Sequence, residues 1–561
     1  MSALVDGLAS LAAVAWVVLQ VRIGLVAARM FQIEEYEVRR FLTWGRTREW
    51  LGHRAVTAGA LATALGTATA VLAQGHSAIA AAAGWLAAGV AGNFAWQWSA
   101  AKRPLVVTAR MRRLLIGAAA VTGGVAAVAA LLITSDHAVG GGIVALAIAG
   151  GATLFAQVSL VAGNALATPV EATVRRHYLD RARRRIAEVD PLVIAIAGSY
   201  GKTSTKRILA HLLDDDHHVL ATRKSFNTLM GITRVINEDL RPEHRIFVVE
   251  MDAYGPGEIA SMCDLVHPRF AIVTSVGPQH LERFGTLARI AGALYEVVAS
   301  LPRDGAVVIH VGDEEGAALL GRARAEGRRA LGYAIADEPG GADADVTASS
   351  VRIDGHGTRF HWRWTAEHEE CAVGVPLLGR HQALNVSASL AMARLLGRPL
   401  DAAVAVARTL RPIEHRLQPL ESGGAVTVLD DSYNANPVGV HSALDVLAAM
   451  DGRWKILVTP GLVELGSVEE VENRRYGAHA GAVCDHVIVV EARPARALLA
   501  GLRESGIEPS RVHVVQSLAG ATAVIGRVAG PGDVVLFAND LPDTYLPPVR
   551  PLTGTASKAG G

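Results

Sequence analysis

The pattern of apolar and polar positions divides the chain near residue 165. Before that point lie five apolar stretches, Leu8–Val21, Ala55–Ala73, Ala78–Trp98, Leu114–Thr134 and Gly142–Ala165. Four of them approach or exceed the ~20 residues that carry a helix across a bilayer. The first reaches that length only by extending back toward Leu4, beside Asp6. After residue 190 the pattern changes. Short apolar, partly β-branched runs alternate with helix-length segments, which predicts parallel α/β sheets.

The segments between the apolar stretches test the membrane reading independently. Arg22, Arg29, Arg39, Arg40, Arg46, Arg48 and Arg54 follow the first stretch. Lys102, Arg103, Arg110, Arg112 and Arg113 lie between the third and fourth, and Arg175, Arg176, Arg181, Arg183, Arg184 and Arg185 follow the fifth. The connections Gln74–Ser77 and Ser135–Gly141 carry no Lys or Arg. Basic and neutral loops therefore alternate, and the positive-inside rule predicts five spans with everything after Arg185 cytoplasmic. The expected location is a plasma membrane, multi-pass, with membrane lipids as neighbours. Abundant Ala and Gly in the stretches suit close helix packing in lipid.

Composition agrees. Of 561 residues, 51% are apolar, 57 are Gly, and the mean hydropathy is +0.29. A net charge of +1, with no basic block interleaved with aromatics, argues against a nucleic-acid partner. Cys263, Cys371 and Cys484 stand far apart, which disfavours a disulfide framework or a zinc site.

The strongest local signal begins at Pro191. The run Pro191–Ala197 reads as a buried parallel strand. It leads into Gly198-Ser199-Tyr200-Gly201-Lys202-Thr203-Ser204, and Arg207–Leu213 reads as helix. A strand, a glycine turn and a helix N-terminus form an anion site, because backbone N–H groups and the helix dipole converge on phosphate. Lys202 would neutralise the terminal phosphates of ATP, and Thr203 offers a hydroxyl to Mg²⁺. Ile196 stands where the longer phosphate-loop pattern has glycine, so this is the shortened GxxGKT form. Further on, Ile246–Glu250 reads as a second parallel strand ending in a carboxylate, the end that faces the ligand crevice in such sheets.

These motifs, in this order, resemble those of the Mur ligases, which build the peptidoglycan peptide. The resemblance covers about Pro191 to Pro547 and is nearest to the members that add D-alanyl-D-alanine to the UDP-N-acetylmuramoyl tripeptide. Thr222–Gly231 resembles the family's Asn-rich substrate and Mg²⁺ segment, and Glu250 its metal carboxylate. Ala271–Gly285 resembles its strand and histidine turn, with His280 at the metal-site position. Leu378–Asn385 resembles the segment that packs on adenine, with His381 and Asn385 one helical turn apart. Val426–Pro437 carries the family's DDSYNANP string residue for residue. The resemblance implies that Asp430 or Asp431 bonds the ribose, that Asn434 and Asn436 order the loop facing the amine, and that Arg416 meets the ATP phosphates. Trp454–Gly466 resembles a further strand and turn, with Thr-Pro-Gly where Gly-Asp-Met is usual.

The expected organisation is an N-terminal transmembrane helical domain at 1–166, a basic linker at 167–190, a parallel-sheet ATP-binding central domain at 191–413, a Rossmann-like C-terminal domain at 414–548 and a disordered tail at 549–561. Strands in the C-terminal domain are expected at His486–Val490, Val512–Val515 and Asp533–Phe537. The implied activity is ATP-dependent joining of a carboxylate acceptor, a muropeptide or similar, free or lipid-linked, to an amino-acid or dipeptide amine. It would run through an acyl phosphate, with Lys202, Thr203, Glu250, His280 and Arg416 on phosphates and metal.

Three departures qualify the resemblance. Leu294 occupies the position where the family usually carries a carbamylated lysine, Asp252 stands where glycine is usual, and five apolar stretches replace the domain that grips the UDP-sugar. Three other readings stay open: an amide ligase acting on a poly-γ-glutamate or folate-type chain, a nucleotide-binding scaffold with reduced activity, and an ATP-driven transporter. The near absence of charge inside stretches two to five counts against the transporter.

Overall fold

The computed structural model describes residues 2–34, 36–45, 76–95, 105–134 and 151–539, except 215–217, 224–225, 280, 421–425, 433–434, 464 and 491–494, with scattered positions between 58 and 72 and between 143 and 148. Two compact units emerge, Met1–Arg176 and His177–Pro547.

Among the described residues four helices are long and apolar enough to cross a membrane: Ser2–Ile33, Ser77–Ala95, Ala109–Thr134 and Ala152–Val189. The Ala55–Ala73 stretch lies largely outside the described residues, as does part of Gly142–Ala165. Residues 167–189 continue the helix that begins at Ala152. Small residues allow the helices to touch backbone to backbone. A Cβ on Gly163 would fall 2.5 Å from the Ala118 nitrogen, and one on Gly89 would fall 3.0 Å from that of Trp16. Trp16 fills the bundle against Trp85 and Phe155, with ring centroids 6.2 and 5.1 Å away.

The second unit holds two sheets. The first runs in the order β2 (Val219–Ala221), β3 (Ile246–Glu250), β1 (Leu192–Ala197), β4 (Phe270–Val273), β5 (Ala306–His310), β6 (Arg329–Ile335), β7 (Val346–Asp354), β8 (Gly357–Trp364), β9 (Glu369–Val375). Pairing is parallel as far as β7 and antiparallel through β8 and β9. Strand β1 explains the layering. Val193, Ala195 and Ala197 enter one apolar core while Ile194 and Ile196 enter the other, so both faces are covered by helices. Register then aligns the strand ends: Ile196 pairs with Glu250, and Ala197 with Val273. The loops after β1, β3 and β4 therefore leave the sheet side by side.

The second sheet has the order β10 (Gln418–Leu420), β11 (Thr427–Asp431), β15 (Val534–Ala538), β12 (Lys455–Thr459), β13 (His486–Val490), β14 (Val512–Val515), parallel except for β10. The strands expected at His486–Val490 and Val512–Val515 form with those limits; the one expected at Asp533–Phe537 is shifted by a residue, because Asp533 turns its buried carboxylate back onto Arg453, Trp454 N and Gly530 N.

Candidate active site

The turn after β1 needs its glycines. Gly198 has φ 145° and Gly201 φ 83°; a Cβ would fall 1.9 Å from Thr274 Oγ1 at the first and 2.6 Å from Asn385 Oδ1 at the second. Gly201 in the left-handed region starts the helix at Lys202, five residues before the expected Arg207, and offers no side chain to cap it. The first N–H groups of Lys202–Leu213 are thus left for an anion. Ser199 fixes the turn sideways: its Oγ donates to Gly277 O and accepts from Gly277 N, both at 3.0 Å. Lys202 is buried and folds over its own loop, with Nζ 2.6 Å from Gly198 O, 3.2 Å from Ser199 O and 3.3 Å from Gln279 Oε1. Asp252 Oδ1 lies 3.2 Å from the same Nζ. The aspartate that replaces the usual glycine thus pairs with the phosphate-loop lysine.

Glu250 ends β3 beside this loop. Its carboxylate accepts from Thr203 Oγ1 at 3.0 and 3.1 Å, from Asn227 Nδ2 at 3.1 Å and from Lys206 Nζ at 2.8 Å. Both side chains of the Lys206–Glu250 pair are 3% exposed. Sequence reasoning gave Lys206 no role. It shares the face of Lys202 one helical turn on, but only the place of β3 beside β1 brings it to Glu250. The Thr203 hydroxyl and Glu250 carboxylate supply the hard oxygen donors Mg²⁺ favours, and that ion usually binds through one or two carboxylates with waters and substrate phosphates. Among the described residues, no group of three His, Cys, Asp or Glu side chains converges as a metal cage. His280 lies outside the described residues.

Opposite the loop, the C-terminal domain contributes a second wall. The cleft is lined by Tyr200, Gly201, Ser204, Thr274, His381 and Asn385 from one domain and by Arg416, Asp431, Asn436 and Gly439 from the other. His381 and Asn385 sit on the first turns of the helix Arg380–Leu395. Asn385 Oδ1 accepts from Thr205 Oγ1 at 3.2 Å, and His381 Nδ1 lies 2.8 Å from Ser442 Oγ. Burial, helped by the charge of Arg416, pushes His381 down to about 4, so its ring is neutral. Burial drives Asp431 the other way, up to about 7, although Arg416 and the Leu417 N–H oppose the rise.

The aspartate pair is thereby sorted. Asp431 faces the cleft, whereas Asp430 holds Ser432 N at 3.0 Å and His415 Nδ1 at 2.6 Å. Asn436 caps the helix Pro437–Ala449 through Gly439 N, at 2.8 Å. Asn434 lies outside the described residues. Leu294, on the helix Leu287–Ala299, is 6% exposed and packs into the apolar core. Two residues on, Glu296 accepts from Gly257 N at 2.6 Å and Ala260 N at 3.0 Å, capping the helix Glu258–Val266.

Comparison with known proteins points the same way. Residues 196–393 match the Mur ligase middle domain, and residues 415–539 match the Mur ligase, glutamate ligase domain. The UDP-N-acetylmuramoyl-tripeptide–D-alanyl-D-alanine ligase of Escherichia coli K12 is 33% identical over 306 residues, 54% of this chain and 65% of that protein. The enzyme of the same name from Mycobacterium tuberculosis CDC 1551 is 31% identical over 367 residues, 61% of this chain and 69% of that protein. The chain thus spans just under two thirds of the length of the E. coli relative. Among solved structures, MurF from Acinetobacter baumannii superposes with a TM-score of 0.57 at 25% identity, covering 65% of this chain and 77% of that one. MurF ligase from Thermotoga maritima in complex with ADP gives 0.56 at 25% identity, covering 65% and 80%. With both domains matched in order along the chain, this protein belongs to the Mur ligase family.

Proposed function

We propose that this chain is a membrane-anchored, ATP-dependent carboxylate–amine ligase of peptidoglycan synthesis. The observation that carries the reading is one cleft. It brings the phosphate loop, His381 and Asn385 of the middle domain against Arg416 and Asp431 of the C-terminal domain. The likeness to the D-alanyl-D-alanine ligases favours a muropeptide acceptor and a dipeptide amine over a poly-γ-glutamate or folate-type substrate.

A carboxylate repels nucleophiles, so it must first be activated. In the proposed reaction an acceptor carboxylate oxygen attacks the γ-phosphorus of ATP, ADP leaves, and an acyl phosphate forms. The amine then attacks the acyl carbon, phosphate departs, and the ammonium loses a proton to give the amide. Little of this needs covalent help from the protein; positioning and charge neutralisation suffice. Lys202 would exchange Gly198 O, Ser199 O and Asp252 for the terminal phosphates. The helix N-terminus at Lys202 would bind the remaining phosphate oxygens, Arg416 would meet them from the other domain, and neutral His381 with Asn385 would flank the base. Thr203 and Glu250 would hold Mg²⁺, which supplies positive charge to the phosphates when bound.

The cleft, at about 70 Å³, is far smaller than the ~300 Å³ and upward of ordinary ligand pockets. Nucleotide entry on this reading requires the two domains to part and close again. The four apolar helices would anchor the chain, with the ligase domains on the cytoplasmic side.

The test is phosphate release by the full chain in detergent micelles, with ATP, Mg²⁺ and candidate acceptors that include lipid-linked muropeptides. Release that requires both acceptor and amine supports the ligase. ATP turnover indifferent to the amine would sink it and leave the scaffold reading that Leu294 prompts.

A further inference from the structure

One buried group of charges takes no part in the chemistry above. His310 ends β5 and is 5% exposed. Its Nδ1 lies 3.1 Å from Asp313 Oδ2, and its Nε2 lies 3.2 Å from Glu338 Oε2. Both partners are carboxylates, which accept, so both ring nitrogens must donate and the ring carries a positive charge. Burial works against that charge, yet the two carboxylates outweigh it and hold the imidazole up at about 9. The Tyr333 phenol, 5.4 Å away edge-on, is the third titratable group facing the ring, and burial keeps its proton in place. Gly312 leaves room for the arrangement: a Cβ there would fall 2.4 Å from Glu338 Oε2 and 2.7 Å from His310 Nε2.

The cluster reaches the nucleotide site through the turn after β4. Asp313 Oδ2 also accepts from Val276 N at 3.1 Å, while Oδ1 accepts from Gly316 N at 2.7 Å and caps the helix Glu314–Ala325. Residues on either side of Val276 hold the phosphate loop. Ser275 O accepts from Ser199 N at 2.8 Å, Gly277 exchanges two hydrogen bonds with Ser199 Oγ, and Gln279 accepts from Lys202 Nζ. On the far side, Glu338 Oε2 accepts from Ile335 N at 2.9 Å, which ties the cluster to the end of β6.

We propose that His310, protonated on both ring nitrogens, is a positioning residue for the nucleotide site: it draws Asp313 and Glu338 together and so holds the Ser275–Gln279 turn against the phosphate loop. The inference rests on the nucleotide binding at Gly198–Ser204, as proposed above. When the ring loses a proton, it can donate to only one carboxylate, and the turn loosens. Because the folded state holds this proton well above the usual histidine range, the support is present at neutral pH and is lost as pH rises through about 9.

The experiment titrates the full chain in detergent micelles with Mg²⁺–ADP, by calorimetry, from about pH 7 to about pH 10. Wild-type affinity is expected to fall about tenfold across the step, the scale of one charge-assisted hydrogen bond. His310→Gln, which offers one donor nitrogen in place of two and no proton that titrates, is expected to bind about tenfold more weakly at neutral pH and to show no step. Wild-type affinity that stays flat, or a His310→Gln variant that keeps both affinity and step, overturns the proposal. If His310→Gln does not fold, Glu338→Gln decides: removing one carboxylate must move the step to lower pH, and an unmoved step overturns the proposal. Failure of the wild type to bind ADP at any pH would instead overturn the nucleotide assignment itself.

Discussion

Strand β3 ends in Glu250 and strand β11 ends in Asp430-Asp431, so both sheets present carboxylates at the same topological place. Their surroundings differ. Glu250 is ringed by the Thr203 hydroxyl, the Asn227 amide and the Lys206 ammonium. Asp431 accepts from the Leu417 N–H and feels the charge of Arg416, yet burial, with the Asp430 carboxylate beside it, prevails and lifts it to about 7. A strand end thus marks where a carboxylate sits, while segments arriving from elsewhere decide whether it serves as a paired charge or as a group that titrates near neutrality.

The largest effect should come from the loop that both ends face. Lys202→Ala is expected to reduce ATP-dependent phosphate release at least about a thousandfold, because the reaction depends on charge neutralisation at the phosphates. Near-normal release by that variant would place the nucleotide elsewhere.

The next test separates charge pairing from function at β3. Glu250→Gln removes the carboxylate partner of a lysine that is 3% exposed, and breaking such a buried pair costs about 3–5 kcal/mol. Denaturant unfolding should show that loss, and Lys206→Met combined with Glu250→Gln should recover most of it while turnover stays low. A double variant no more stable than the single one would mean that Lys206 is not what makes Glu250 costly to lose.

At β11 the expected effect is smaller and depends on pH. The raised Asp431 binds its proton in the folded state up to about 7, so its contribution to stability falls as pH rises from the ordinary carboxylate range through that point. Asp431→Asn should therefore gain on the wild type across that window, by a few kcal/mol near neutral pH. Melting curves that keep a constant offset at every pH would contradict the assignment.

His381 should give the smallest effect, with the opposite sign. Its folded-state value of about 4 lies below the usual 6.5, so stability falls as pH drops between the two. His381→Asn should flatten that acid limb, by up to about 3 kcal/mol, in the same melting series.

The local parts of the fold were legible in the sequence. The runs at β1, β3, β13 and β14 are short, apolar and rich in β-branched residues, so their limits follow closely from the pattern. The hairpins β7–β9 escaped that reading. On β8 the buried residues Phe360, Trp362 and Trp364 alternate with half-exposed or exposed ones, a period-2 signal among Arg and His that a search for apolar runs passes over. In the site, the closeness of Thr203 to Glu250, beside the loop that carries Lys202, follows from motifs that each end or follow a neighbouring strand. The Lys206–Glu250, Asp252–Lys202 and His310–Glu338 pairings were not legible, since each joins segments that only the sheet order brings together.

The burial of Leu294 closes a route of change. The helix that carries it is held by apolar packing on that face and by Glu296, whose cap on Glu258–Val266 does not need a lysine two residues earlier. Restoring the family's usual residue with Leu294→Lys would put an ammonium among Ile290, Val297 and their neighbours, a burial that costs several kcal/mol when no partner accompanies it. Accepting that lysine would require further substitutions in the surrounding core.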